Sequence, residues 1–251
     1  MLNENEIKTA LSYNGNVTVL DTVDSTNNYA KINSKNYGDV FLTNNQTKGK
    51  GRLGRTWICN NSLAMSVSVK PFDNPDGNLL IPLFAGYAVV NAIYELYGVK
   101  CMIKWPNDVV YNGKKLCGIL NEAVTENGVI KNIICGIGIN TAGEKLSQDI
   151  TDKATSLESI IGAEINENIL AAKICNQLFE LTHKEPALPN DFDDCVINIG
   201  KVVYIIKNNE TFKGYAKKVC NNGGLLVEYA DGTSEIITSG EVSVRGLYGY
   251  V

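Results

Sequence analysis

Two Asn-Gly pairs, Asn112-Gly113 and Asn127-Gly128, constrain this chain more than any other feature. The first joins DVVY to KKLCGIL, and the second joins LNEAV to VIKNIICGIGIN. Asn-Gly suits the positive φ angles of a type I′ turn, whose twist matches antiparallel strands. The stretch from Asp108 to Asn140 therefore predicts a meander of about three strands in one sheet.

Other elements follow from pattern. Val17 to Leu20 and Val40 to Thr43 read as short strands. Between them DSTNNYAK (Asp24–Lys31) offers Ser25 or Thr26 as the N-cap of a short helix. LAMSVSVK (Leu63–Lys70) alternates Met65, Val67 and Val69 against Ser66 and Ser68, the pattern of a half-buried strand. DNPDGN (Asp73–Asn78) is a turn. Leu79 to Tyr97 is apolar on nearly every face and stops at Gly98, which predicts a deeply buried central helix. Its uncharged stretch, Leu79 to Tyr94, is 16 residues long and includes Pro82 and Asn91. That is short of the ~20 residues that span a bilayer. Thr155 and Ser156 cap a short helix closed by Gly162. Asn168 to His183 is amphipathic, with Leu170, Ile174, Leu178 and Leu181 on one face. The Pro- and Asp-rich stretch Lys184–Asp194 reads as a linker. From Lys201 to Arg245 short strands alternate with polar, Gly-containing turns, as in a small all-β barrel of about 50 residues. The expected organisation is a body of helices and strands over 1–195 and a small β domain over 196–251.

The totals exclude several function classes. The formal net charge is -4 and the pI about 5.2. General attraction to nucleic acid or to an anionic membrane is not expected, so any anion site has to be local. The polar, acidic N-terminus is no signal peptide. Seven cysteines without a CxxC suit free thiols in a reducing cytoplasm, not a disulfide framework or a zinc site. No metal-ligand cluster is expected. The single histidine, His183, reads as a surface residue near a helix C-terminus.

Four motifs carry polar chemistry. TKGKGRLGRTW (Thr47–Trp57) packs three glycines among Lys48, Lys50, Arg52 and Arg55. It is neither a Walker A loop nor a dinucleotide fingerprint. Its glycines allow close backbone approach, and its arginines offer forked donors to carboxylate or phosphate. A solvated basic loop without a ligand has the same composition. KWPND (Lys104–Asp108) puts Asn107 and Asp108 at a strand mouth, and Lys115 enters the return strand one hairpin later. A lysine on regular structure can hold a fixed charge on a substrate; an Asn-Asp cap and a surface lysine would read alike. GIGIN (Gly136–Asn140) places glycines inside a strand, where a ligand, another backbone or plain tight packing comes close. DSTN (Asp24–Asn27), with Gln46, suits a neutral polar head group or a simple helix cap.

Taken in order, DSTN, QTKGKGRLGRTW, KWPND, KKLCGIL, GIGIN and ATSL (Ala154–Leu157) closely resemble the biotin protein ligases, over about Val17 to Arg245. Where the family carries a first arginine in the basic loop, this chain has Lys50, which keeps the charge and loses the planar fork. About 16 residues precede the first strand, too few for the N-terminal DNA-binding domain of the repressor-type members, so the resemblance is to the short, catalytic class. It implies an α+β fold: a central mixed, largely antiparallel sheet with packed helices, class II synthetase-like, plus an SH3-like C-terminal barrel. It also implies an ATP-dependent, AMP-forming ligase. Such an enzyme makes biotinyl-5′-AMP and transfers biotin to a lysine of a biotin carboxyl carrier domain. The reactants are biotin and ATP, Mg²⁺ comes with ATP, DNA and membrane are not partners, and a homodimer is possible in the family.

By family position, Ser25, Thr26, Asn27 and Gln46 meet the biotin ureido ring, with Gly49 and Gly118 beside it and Ser68 near the ring pocket. Arg52 and Lys115 neutralise the biotin carboxylate and the phosphates. Arg55, Trp57, Asn107, Asn140 and Arg245 face the nucleotide. Asp108 is the matched carboxylate that could steer or deprotonate the incoming lysine. Two other readings remain: a lipoate or octanoate ligase on the related fold, and a non-catalytic basic-loop module that binds nucleic acid or another ligand.

Overall fold

The computed structural model describes residues 1–142, 153–207, 210–238 and 243–246, with backbone alone for 59–61 and 243–246. It opens with a helix that the sequence reading left out, α1 (Glu4–Ala10). Asn3 caps it by accepting from the Glu6 amide, and Ile7 is fully buried. Asn-x-x-Glu before an apolar residue is a helix-start signal, so this element was legible.

The first sheet has seven strands in the order β1-β2-β3-β7-β6-β5-β4. They are β1 (Val17–Val19), β2 (Val40–Gln46), β3 (Cys59–Val69), β4 (Met102–Lys104), β5 (Asp108–Tyr111), β6 (Lys114–Glu126) and β7 (Val129–Ile139). β1 runs parallel to β2, and the remaining pairs are antiparallel. The meander forms as expected. Asn112 and Gly113 have φ of 46° and 77°, Asn127 and Gly128 of 51° and 77°, the positive pair that a type I′ turn requires.

Helices cover both faces of this sheet. α2 (Thr26–Asn33) lies against β2, β3 and β7. The central helix α3 (Ile81–Tyr97) contacts β4, β5, β6 and β7 and ends at Gly98 in the left-handed region. The short α4 (Leu157–Ile161) is capped by Ser156 and closed by Gly162. α5 (Glu167–Thr182) packs on α1 and α3 through Leu170, Ile174 and Leu178. His183 ends α5 on the surface, stacked on Phe179. Coverage on two faces corrects one expectation: β3 is not half-buried. Ser66 and Ser68 are 0% and 1% exposed, because α2 covers the face that alternation assigned to solvent. Together, 75–97 are long and apolar enough to cross a membrane, but most of this span is inside the fold.

After a 3-10 turn at Phe192–Cys195, the chain builds a second, antiparallel sheet in the order β11-β10-β9-β8-β12. Its strands are β8 (Val202–Lys207), β9 (Glu210–Val219), β10 (Leu225–Tyr229), β11 (Ser234–Ile237) and β12 (Ser243–Gly246). Val203, Ile205, Ala216, Leu225 and Val227 join the same apolar core as the first sheet. Trp105, 1% exposed, ties the two together. Its backbone amide donates to Asn198 Oδ1 at 2.8 Å and its indole Nε1 to the Gly223 carbonyl at 3.0 Å. Replacing Trp105 by Phe keeps an aromatic ring, trims the buried side chain and strands that carbonyl. The expected loss is about 1–3 kcal/mol of unfolding free energy, read from the urea midpoint. An unchanged midpoint would show that the indole bond adds nothing.

Candidate active site

The cleft begins with missing side chains. Across three neighbouring strands the register aligns Ala64, Gly138 and Gly118, and beside them Ser66, Gly136 and Leu120. Three glycines therefore open the sheet face that α2 covers, and other side chains enter the space. A Cβ on Gly136 would lie 2.3 Å from Asn27 Oδ1, and one on Gly138 would lie 2.5 Å from the Trp57 indole. A Cβ on Gly118 would come within 3.1 Å of both Trp57 and Lys115 Nζ. The glycines of GIGIN thus admit close approach, and the groups that approach are side chains of this chain.

A β-bulge aims Lys115 at the same place. Residues 115 and 118 would face opposite sides of a regular strand. Pairing slips between Val109↔Cys117 and Val110↔Lys115, leaving Leu116 as the extra residue. The slip turns Lys115 and Gly118 to one side. The Lys115 backbone is clamped by the start of the ATSL segment and the residue before it: its amide donates to the Lys153 carbonyl and its carbonyl accepts from Thr155 N. Lys115 Nζ makes an ion pair with Asp108 Oδ1 at 2.7 Å and lies 5.5 Å from the Trp57 ring centre. This is the rigid cation expected from its place on a strand.

The basic loop is a small hairpin. Trp57 N donates to the Gly49 carbonyl, Gly51 N to the Arg55 carbonyl, and Lys50 bridges Thr56. Its tip is a 3-10 turn at Arg52–Gly54 with Leu53 and Gly54 at φ 55° and 73°. Gly49 is needed where it stands, since a Cβ there would be 2.3 Å from the Trp57 carbonyl. Arg52 Nη1 donates to Asn107 Oδ1 at 2.9 Å. Burial pulls the Arg52 guanidinium below its ordinary pKa and Arg55 adds to this, while Asp108 opposes it. Asn107 is oriented by β6, donating from Nδ2 to the Ile119 carbonyl. Arg55 is exposed on the outer side of the hairpin, along a wider cleft of about 890 Å³. Lys50 lines the rim of the inner cleft, where its ammonium donates to Asn28 Oδ1 on α2 at 2.7 Å.

At the other end of the cleft, Ser25 occupies the N-cap of α2 without making a capping bond. Thr26 instead donates from its backbone amide to Gln46 Oε1 at 2.8 Å. Ser25, Thr26, Asn27 and Gln46 line the inner cleft together with Arg52, Trp57, Asn107, Lys115 and Gly118. Asp108 joins them through Lys115. Asn140 lies behind Lys115, with its amide donating to the Thr155 carbonyl, and lines neither cleft. Ser68 is also elsewhere, bonded to Asn132, and it is Ser66 that sits directly behind the cleft residues Thr26 and Asn27. Arg245 pairs with Tyr204 through its backbone, and its side chain is outside the described residues. Sequence reasoning missed Ser66, Gly138 and the pair Lys31–Glu122, which bonds Asn27 from behind.

The inner cleft holds only about 60 Å³ of free space, because the Trp57 indole covers its floor. That indole N–H is buried and has no partner among the described residues, an arrangement that costs about 1–3 kcal/mol. Chemically, the cleft runs from neutral hydrogen-bonding groups, across an apolar floor, to two cations. Gly138→Ala is expected to expel Trp57 and red-shift its emission; Trp105, the only other tryptophan, stays buried. An unshifted spectrum would mean that the indole is not seated on the glycines.

Residues 19–140 match the biotin/lipoate A/B protein ligase family. The chain is 30% identical over 246 residues to the bifunctional ligase/repressor BirA of Salmonella typhimurium, covering 92% of this chain and 75% of that one. It is 27% identical to the biotin--[acetyl-CoA-carboxylase] ligase of Mycobacterium tuberculosis, covering 82% and 78%. Among solved structures, the biotin protein ligase of Aquifex aeolicus in complex with biotin and ATP superposes with a TM-score of 0.81 at 30% identity, covering 92% of this chain and 99% of that one.

Proposed function

From the premise that this chain belongs to the biotin/lipoate A/B protein ligase family, we propose that it is a biotin protein ligase acting in the cytoplasm. The observation that carries this reading is the polarity of the cleft. Ser25, Thr26 and Gln46 stand at one end, a glycine floor in the middle, and Arg52 with Lys115 at the other. A ligand with a neutral polar ring, an apolar body and a terminal carboxylate fits that sequence of environments.

In the first step a biotin carboxylate oxygen attacks the α-phosphorus of ATP. The bond to the bridging oxygen breaks and pyrophosphate leaves. The carboxylate and the phosphates repel each other, and Arg52 and Lys115 neutralise both. Lys115 exchanges its contact with Asp108 for the developing charge, and its clamped backbone keeps reorganisation small. Mg²⁺ would arrive with ATP and would supply charge neutralisation at the phosphates, beside Arg52 and Lys115. In the second step the acceptor lysine amine of a carrier domain attacks the anhydride carbonyl. AMP leaves with the electron pair of the broken C–O bond, and Asp108, released by Lys115, takes the amine proton.

Trp57 has to leave the floor for a bicyclic ring to enter, since 60 Å³ is too small for one. The hairpin then closes over the adenylate and excludes water.

Biotin-dependent ATP–pyrophosphate exchange tests the reading without a carrier protein. Exchange with biotin and not with lipoate or octanoate is the expected result. Exchange with lipoate alone would keep the fold and replace the ligand, and none with any acid would sink the enzyme reading. Lys115→Ala should lose on the order of 10²–10³ in the exchange rate; a near-normal rate removes Lys115 from the chemistry. Arg52→Gly should release biotinyl-AMP into solution, seen by chromatography of the filtrate, whereas retention equal to the parent would contradict the closing role of the loop.

A further inference from the structure

A chain of hydrogen bonds runs from the surface into the neutral end of the cleft, and its direction is fixed. Lys31 Nζ pairs with Glu122 Oε1. Burial by itself would raise the Glu122 pKa, but bonds from Lys31 and Asn27 hold it below the usual value, so the group is a carboxylate and only accepts. Asn27 Nδ2 donates to Glu122 Oε2 at 2.9 Å and to the Leu120 carbonyl at 3.1 Å. Neither partner can donate, so the amide cannot be turned over. Asn27 Oδ1 is therefore an acceptor, seated where Gly136 leaves room for it.

Ser66 Oγ lies 2.6 Å from that oxygen and 2.8 Å from Thr26 Oγ1. A hydroxyl has one hydrogen. Ser66 gives its hydrogen to Asn27, so Thr26 gives its own to Ser66. Gln46 Oε1 already accepts from the Thr26 backbone amide at 2.8 Å and lies 3.2 Å from Thr26 Oγ1, so it is the weaker claimant on that hydroxyl hydrogen. At the cleft, Thr26 Oγ1 then has only lone pairs to offer, and Gln46 has the hydrogens of Nε2.

We infer that Ser66, backed by the Lys31–Glu122 pair, is a specificity-determining positioning residue: it fixes Thr26 as an acceptor and so selects a ligand that presents an N–H at that point. The ligand class selected is a cyclic urea over its cyclic carbamate isosteres, in which a ring N–H is replaced by oxygen. The inference rests on the biotin reading above. An oxygen facing the fixed lone pairs of Thr26 leaves two acceptors in contact. Without Ser66 the Thr26 hydroxyl keeps only the longer 3.2 Å contact to Gln46 Oε1, so it can rotate towards the ligand and donate, and the penalty falls.

The test is binding of biotin and of both carbamate isosteres, by titration calorimetry, to the full chain and to Ser66→Ala and Glu122→Gln. The unaltered chain should bind biotin at least ~30-fold more tightly than the disfavoured isostere. Ser66→Ala should narrow that ratio to about 3-fold, and Glu122→Gln should narrow it less, because the Leu120 carbonyl still holds Asn27. A general loosening of the pocket would weaken all three ligands together, and a ratio unchanged in both folded variants overturns the relay. If Ser66→Ala fails to fold, the ratio in Glu122→Gln decides alone. If the unaltered, folded chain binds none of the three compounds, the biotin reading itself falls and takes the relay's ligand with it.

Discussion

The register between β6 and β7 is the constraint on which the cleft depends. It sets Gly118 opposite Gly138 and Leu120 opposite Gly136. A slip of one residue would turn Cys117, Ile119 and Ile137 to the open face. The places now taken by Trp57 and Asn27 would then be filled, and α2 could not bring its first turn to the sheet. Continued from the Asn127-Gly128 turn, the pairing Glu126↔Val129 would set Gly118 opposite Ile137; a bulge at Lys131, between Val124↔Asn132 and Thr125↔Ile130, shifts it by one residue, and the buried apolar set of Cys117, Ile119, Cys135 and Ile137 penalises any other register. A second bulge, at Leu116 in the β5–β6 pairing, is the reason Lys115 shares a side with the glycines.

The electrostatics of the cleft follow from that frame. Lys115 is restrained by Asp108 and by Trp57, and Arg52 by Asn107. Both cations sit partly out of water, where a charge acts more strongly on an anion than it would on the surface. Lys50, whose position in the loop also suggested an anion contact, is exposed and spends its ammonium on Asn28. The four cations of one short loop are thus unequal: Arg52 and Lys50 line both clefts, while Lys48 and Arg55 line only the outer one.

Much of this was legible in the sequence, and the failures share a cause. The turns, the buried helix α3 with its Gly98 stop, and the Ser156 and Gly162 ends of α4 are local signals, and they were read within a few residues. KWPND and the basic loop pointed at the cleft because their composition has few other uses. Ser66 was misread because alternation reports that two faces differ, and it cannot report that a helix 40 residues earlier in the chain covers the polar one. The Lys31–Glu122 pair and the Trp57 seat on Gly138 join residues 91 and 81 positions apart. Such contacts leave no periodic trace. Asn140 shows the opposite limit: its motif was recognised, yet here its amide is bonded to the backbone behind Lys115.

Trp105 stands three residues before Asp108, and its two buried bonds reach Asn198 and Gly223 on the other side of the 184–191 segment, in which Lys184, Glu185, Ala187, Asn190 and Asp191 are exposed. The Ile197 amide adds a bond to the Ile103 carbonyl, and Asp193 receives the Val219 amide. The covalent connection between the two halves is thus not what keeps them together. A protease that cut the 184–191 segment would leave a nicked molecule whose pieces co-migrate until denatured, with the Asn107 turn still braced from behind.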